Sequence, residues 1–114
     1  MPLIETKVSV KIDTDAERSL KEAFGKQIEL LPGKSERWLM LTFFDECRMA
    51  FAGDEKTPCA ILEVKLLGSA SEDSYSNLTA ALTDTVNRIL DIPKDRIYVK
   101  YEECDTWGAG GVNF

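Results

Sequence analysis

The first residue able to do chemistry is the second, in Met1-Pro2-Leu3-Ile4. Inside a chain, proline has a fixed φ and no N–H; with Met1 removed, Pro2 presents a secondary amine that accepts a proton. An α-amino group has an ordinary pKa of about 8, and burial lowers it by disfavouring the charged form. A base of that strength suits abstraction of a proton beside a carbonyl, turning a keto acid into its enol and back. The chain has no histidine, which removes the commonest general base and metal ligand. A developing enolate needs a cation or N–H donors nearby. Lys34, directly after Pro32-Gly33, is either a solvated surface cation or that positive group. Tyr98 and Lys100, two residues apart in an apolar-rich run, fall on one face of a strand, and the tyrosine there is either a packing residue or a ligand contact. In Thr106-Trp107-Gly108-Ala109-Gly110-Gly111 the glycines favour a tight return, and Trp107 or Phe114 can then wall a pocket for a flat substrate.

Positioning these residues requires a fold, and 114 residues are the size of one domain, spanning 1–114. Such a chain buries enough surface to fold without disulfides. Lysines and arginines number 14 against 20 acidic residues, for a net charge of -6, and the basic ones are scattered. That argues against nucleic acid, which needs a concentrated basic face. No signal peptide is read at the amino terminus, and no apolar run reaches the length of a bilayer, so no membrane partner is expected. Cys47, Cys59 and Cys104, odd in number and unrelated in spacing, fit buried reduced thiols rather than a disulfide framework or a zinc site. No metal or cofactor is implied, and a cytoplasmic location is the expectation, with export by an unconventional route left open.

One supersecondary unit is written twice. Leu3-Ile4-Glu5-Thr6-Lys7 is echoed by Ile61-Leu62-Glu63-Val64-Lys65, and Ser35-Glu36-Arg37-Trp38-Leu39-Met40 by Lys94-Asp95-Arg96-Ile97-Tyr98-Val99, at a near-constant offset. All four read as strands. Between them lie two helical stripes, Ala16, Leu20, Ala23, Phe24, Ile28 and Leu31, then Tyr75, Leu78, Leu82, Val86 and Ile89. Thr14 with Glu17 and Ser69 with Glu72 are the expected capping boxes, and Pro32-Gly33 and Pro93 the stops. The fold class is therefore α/β: a duplicated β-α-β unit with parallel strands in each half and right-handed crossovers. The run Trp38–Phe44 is almost continuously apolar, as in a strand covered on both faces. Two helices blanket one face of a four-stranded mixed sheet, so further copies of the chain are expected on the other, with residues after Tyr101 offering a contact between subunits.

These features together resemble the tautomerase superfamily, and within it the macrophage migration inhibitory factor and D-dopachrome tautomerase family: Pro2 after Met1, the doubled unit, Gly33-Lys34, Pro58-Cys59-Ala60, the run Pro93–Tyr101 and a glycine-rich aromatic tail. The resemblance spans the whole chain. It implies a homotrimer with its sheets around a central channel, a site at each subunit interface, and keto-enol tautomerisation of phenylpyruvate-like 2-keto acids. By it, Pro2 is the base, Lys34 binds the substrate carboxylate, and the Leu67 backbone N–H contacts substrate. Tyr98 enters from a neighbouring subunit, and Trp38 stands where the family often has a tyrosine lining the site. The chain departs from the family pattern in three places. Lys100 replaces an asparagine, adding positive charge that favours a more acidic substrate. The tail from Thr106 to Phe114 has its own spacing. Cys59 lacks the second cysteine of the family's CxxC, so thiol-disulfide activity is not implied.

The sequence thus supports a cofactor-independent tautomerase acting on a small 2-keto acid or its enol. An interaction or cytokine-like signalling protein with vestigial catalysis, and an unidentified receptor, is the alternative. Hydration or dehalogenation of an unsaturated acid ranks last, because no arginine accompanies Pro2 in sequence.

Overall fold

Alternation of apolar and polar residues in the first strand fixes which way the sheet faces. In the computed structural model, which describes residues 1–114, β1 (Pro2–Val8) buries Pro2, Ile4, Thr6 and Val8 and turns Leu3, Glu5 and Lys7 to the other side. β3 (Ala60–Leu67) repeats the pattern, burying Ala60, Leu62, Val64 and Leu66. With β2 (Met40–Phe44) and β4 (Ile97–Cys104) the sheet order is β2-β1-β3-β4. β1 runs parallel to β2 and β3 parallel to β4, while the two halves meet antiparallel through β1 and β3. The duplicated β-α-β unit is therefore present as expected from the sequence.

The helices α1 (Thr14–Gln27) and α2 (Glu72–Leu90) carry the expected stripes, and Leu20, Phe24, Leu78, Leu82 and Val86 join the sheet's buried face in one core cluster. Their caps lie elsewhere than the sequence suggested. Asp13, whose carboxylate accepts the Ala16 N–H at 2.8 Å, caps α1 in place of Thr14. Ser71, accepting from the Ser74 N–H at 3.1 Å, caps α2 in place of Ser69. In both cases the residue immediately before the helix wins, since a side chain there accepts from the second or third N–H of the first turn. α2 ends on Asp91 in the left-handed region (φ 56), where the Asn87 amide also ties down the Ile92 carbonyl.

The second pair of echoes is corrected in the same way. Glu36–Trp38 and Lys94–Arg96 are 3-10 turns, closed by bonds such as Leu39 N–H to Glu36 O and Arg96 N–H to Pro93 O, and the strands begin only at Met40 and Ile97. The repeat survives as a turn leading into a strand. Beyond β4, β5 (Gly108–Ala109) and β6 (Val112–Asn113) form a separate hairpin. Gly110 and Gly111 both have positive φ, 61 and 85, which the tightest hairpin turn demands. The three cysteines are free thiols, but only Cys59 is buried; Cys47 follows β2 in a loop and Cys104 ends β4 on the open face. No helix is long and apolar enough to cross a membrane.

Candidate active site

The amino-terminal end of β1 lies beside the carboxyl-terminal end of β3, with Pro2 paired to Leu66. One peptide further on, Leu67 organises the corner. Its N–H donates to the Met1 carbonyl at 3.1 Å, and its own carbonyl accepts from Lys34 Nζ at 2.8 Å. Lys34 reaches this point because Pro32-Gly33 reverses the chain after α1, with Gly33 at φ 80 and the Lys34 N–H bonded to Leu31 O. The Met1 amine is held below its ordinary pKa, first by burial, then by the positive charge of Lys34 and a hydrogen bond to it.

With Met1 in place the Pro2 nitrogen is an amide and has no basicity. The Met1 carbonyl is an sp² acceptor oxygen on the Leu67 N–H. Without Met1 the Leu67 N–H loses this acceptor. Pro2, itself buried, would then carry a free amine in the corner where burial and Lys34 already depress the Met1 amine.

The structure thus brings Pro2, Lys34 and Leu67 together, and Trp38, 53% exposed, ends the turn that links Lys34 to β2 on the same rim. It does not bring Tyr98 or Lys100 to Pro2 within one chain. Tyr98 pairs with Ile61 at the far end of the sheet, and Glu103 is the β4 residue level with Leu66. At about 3.3 Å per residue, Tyr98 lies roughly 16 Å along the strand from that level. Its ring is exposed and meets Phe51 edge-on, with centroids 5.0 Å apart. Lys100 sits mid-sheet, and its ammonium is taken by Glu102 at 3.2 Å and Glu63 at 3.9 Å, so its charge is compensated where it stands. Trp107 is half-buried and Phe114 exposed in the terminal hairpin, whose Phe114 N–H closes on Trp107 O at 2.8 Å.

Three grooves of about 690, 420 and 570 Å³ mark the surface, and none is lined by Pro2, Lys34 or Leu67. The corner is an open shelf in a single chain. No three of the Cys, Asp and Glu side chains converge as a metal-ligand set.

Two arginines of consequence escaped the sequence reading. Arg96, noted there only as part of the repeat, donates to the backbone carbonyls of Phe51, Asp54, Thr57 and Pro58. It thereby shapes the loop whose Phe51 supports Tyr98. The Arg37 guanidinium lies over the Trp38 ring. Adjacency to an aromatic residue was the one available signal for Arg37; for Arg96 there was none, because its partners are carbonyls far away in sequence.

The family model for macrophage migration inhibitory factor matches residues 1–113. Among solved structures, Leishmania major MIF2 superposes with a TM-score of 0.93 at 30% identity, covering 100% of this chain and 97% of that one. The macrophage migration inhibitory factor homologue of Prochlorococcus marinus gives 0.87 at 32% identity, covering 98% of each. Macrophage migration inhibitory factor of Xenopus laevis is 24% identical over 110 residues, which is 96% of this chain and 94% of that protein. The chain belongs to the macrophage migration inhibitory factor family.

Proposed function

We propose that the chain, once Met1 is removed, is a cofactor-independent keto-enol tautomerase acting on phenylpyruvate-like 2-keto acids, with Pro2 as the general base. The observation that carries this reading is the Leu67 peptide group, with the Met1 carbonyl on its N–H and Lys34 on its carbonyl. In the reaction the Pro2 lone pair takes a proton from C3 of the keto acid. The C–H electrons form the C2=C3 bond and the carbonyl electrons move to oxygen, giving an enolate whose oxygen takes the proton back from the Pro2 ammonium to become the enol and leave Pro2 free again. Lys34 holds the carboxylate, and the Leu67 N–H donates to a substrate oxygen. The missing wall is supplied in a homotrimer, where Tyr98 of a neighbouring subunit, together with Lys100, Trp107 and Phe114, lines the site. The separation of Tyr98 from Pro2 within one chain and the exposure of Tyr98 support that assembly.

The test compares phenylpyruvate turnover by the Met1-free protein with that of Pro2→Ala and Lys34→Ala. The expected results are a large loss of kcat for the first, whose alanine keeps a primary amine but not the ring-fixed secondary one, and for the second a loss of kcat/KM of roughly tenfold or more, mainly in KM. Equal rates in all three proteins discard the assignment. A second reading, a cytokine-like interaction protein, is favoured by one observation: with Met1 present the corner is self-occupied and the Pro2 nitrogen is an amide. Absence of turnover in the Met1-free protein selects it.

A further inference from the structure

The rim between Lys34 and β2 holds a second cation. In the Glu36–Trp38 turn the Arg37 guanidinium lies over the Trp38 indole, 5.2 Å from the ring centroid. Glu36, the carboxylate of that turn, is turned away against the Gly25 backbone on α1, filling the space that a Cβ there would occupy. Neither Lys34 nor Arg37 forms an ion pair, whereas Lys7, Lys65 and Lys100 on the open sheet face are all matched to glutamates. A guanidinium resting over an aromatic ring without an ion-pair partner keeps N–H groups available, and its planar fork can bind a carboxylate with two parallel hydrogen bonds.

We propose that Arg37, held on Trp38, is a specificity-determining residue that binds a second anionic group at the far end of the substrate. The preferred substrates are then 2-keto acids carrying a distal carboxylate rather than an apolar tail. This rests on the reading of Pro2, Lys34 and Leu67 as the site: Lys34 takes the carboxylate beside the keto group and Arg37 the distal one. Three residues of chain separate their Cα atoms by at most about 11 Å, and both side chains are long, so one small dicarboxylate spans them. Lys100, which the sequence suggested for extra positive charge, is already neutralised by Glu102 and Glu63, whereas Arg37 is free.

The experiment measures kcat/KM of the Met1-free protein for phenylpyruvate and for 4-carboxyphenylpyruvate, in wild type, Arg37→Gln and Arg37→Lys, with calorimetric binding of both acids alongside. Wild type is expected to favour the carboxylated acid. In Arg37→Gln that preference falls about tenfold, through KM rather than kcat, and Arg37→Lys restores part of it. A wild-type preference for phenylpyruvate, or equal changes for the two acids, overturns the proposal. Arg37-dependent binding of the dicarboxylate without turnover keeps it and discards the tautomerase reading. Binding of neither acid discards both.

Discussion

A single peptide group, that of Leu67, joins the two halves of the candidate chemistry by offering its N–H to whatever sits beyond Pro2 and its carbonyl to Lys34. The same lysine depresses the neighbouring amine, because an ammonium close by makes a second positive charge unfavourable. The sign follows directly. The proposed reaction uses the unprotonated amine, so kcat/KM is expected to rise with pH through the Pro2 pKa, below the ordinary value of about 8. Replacing Lys34 with alanine removes the repulsion and moves that rise to higher pH, in addition to weakening binding. A pH–rate profile with an unmoved inflection in Lys34→Ala would mean that burial alone sets the amine's basicity. The types of Pro2 and Lys34 were legible from the sequence. Their meeting at Leu67 was not, since it depends on where a turn after α1 places a side chain against a strand far along the chain.

At the scale of elements, the loop between β2 and β3 is held by Arg96, whose side chain is only 12% exposed and whose guanidinium also lies over the Phe51 ring. Arg96→Met leaves several carbonyls unpaired and is expected to cost roughly 2–4 kcal/mol in a denaturant melt, with Arg96→Lys costing less. Within the loop, the Asp54 carboxyl is lowered to about 2, first by the Thr57 hydroxyl and then by the N–H groups of Lys56 and Thr57. A carboxyl with a depressed folded pKa stabilises the fold above its unfolded value of about 3.9, and that contribution is lost as pH falls through about 2. Thr57→Val should raise the Asp54 pKa toward the ordinary range, read by NMR titration, and open the loop at a correspondingly higher pH; an unmoved Asp54 titration would assign the shift to the backbone donors. In the first turn of α2, Tyr75, whose pKa is pushed up to about 12 by burial and by its hydrogen bond to Glu103, contributes stability below pH about 10 that is lost on passing 12. The helices themselves were readable because a 3.6-residue stripe repeats within one element. The loop was opaque because its order comes from Arg96, nearly forty residues away.

For the whole molecule, the face of the sheet away from the helices is the question. Its centre is a lattice of charges in which Lys65 meets Glu5 at 2.8 Å, while Lys7 and Lys100 share Glu63. The hydrogen bond from Lys65 holds the Glu5 carboxyl below its usual range. Around it Met40, Phe44, Trp38 and Tyr98 remain exposed. In the proposed trimer a chain that retains Met1 lacks a free Pro2 amine but keeps Tyr98, and a Met1-free Tyr98→Phe chain has the converse defect. Mixing the two is expected to yield activity above the sum of the separate preparations, because mixed trimers recreate sites with a free Pro2 and an intact Tyr98. Strictly additive activity would place Tyr98 outside the neighbouring site. The amino-acid order alone determined the doubled β-α-β plan and the two apolar helix stripes, and it singled out Pro2 as the candidate base, since each is written in local periodicity or in a single residue's chemistry. Only the tertiary structure decided that Leu67 bridges Met1 and Lys34, that Lys100 is neutralised while Arg37 is free, and that Tyr98 stands at the wrong end of its own sheet. Those outcomes depend on strand register and on contacts between residues distant in the chain, which local patterns do not encode.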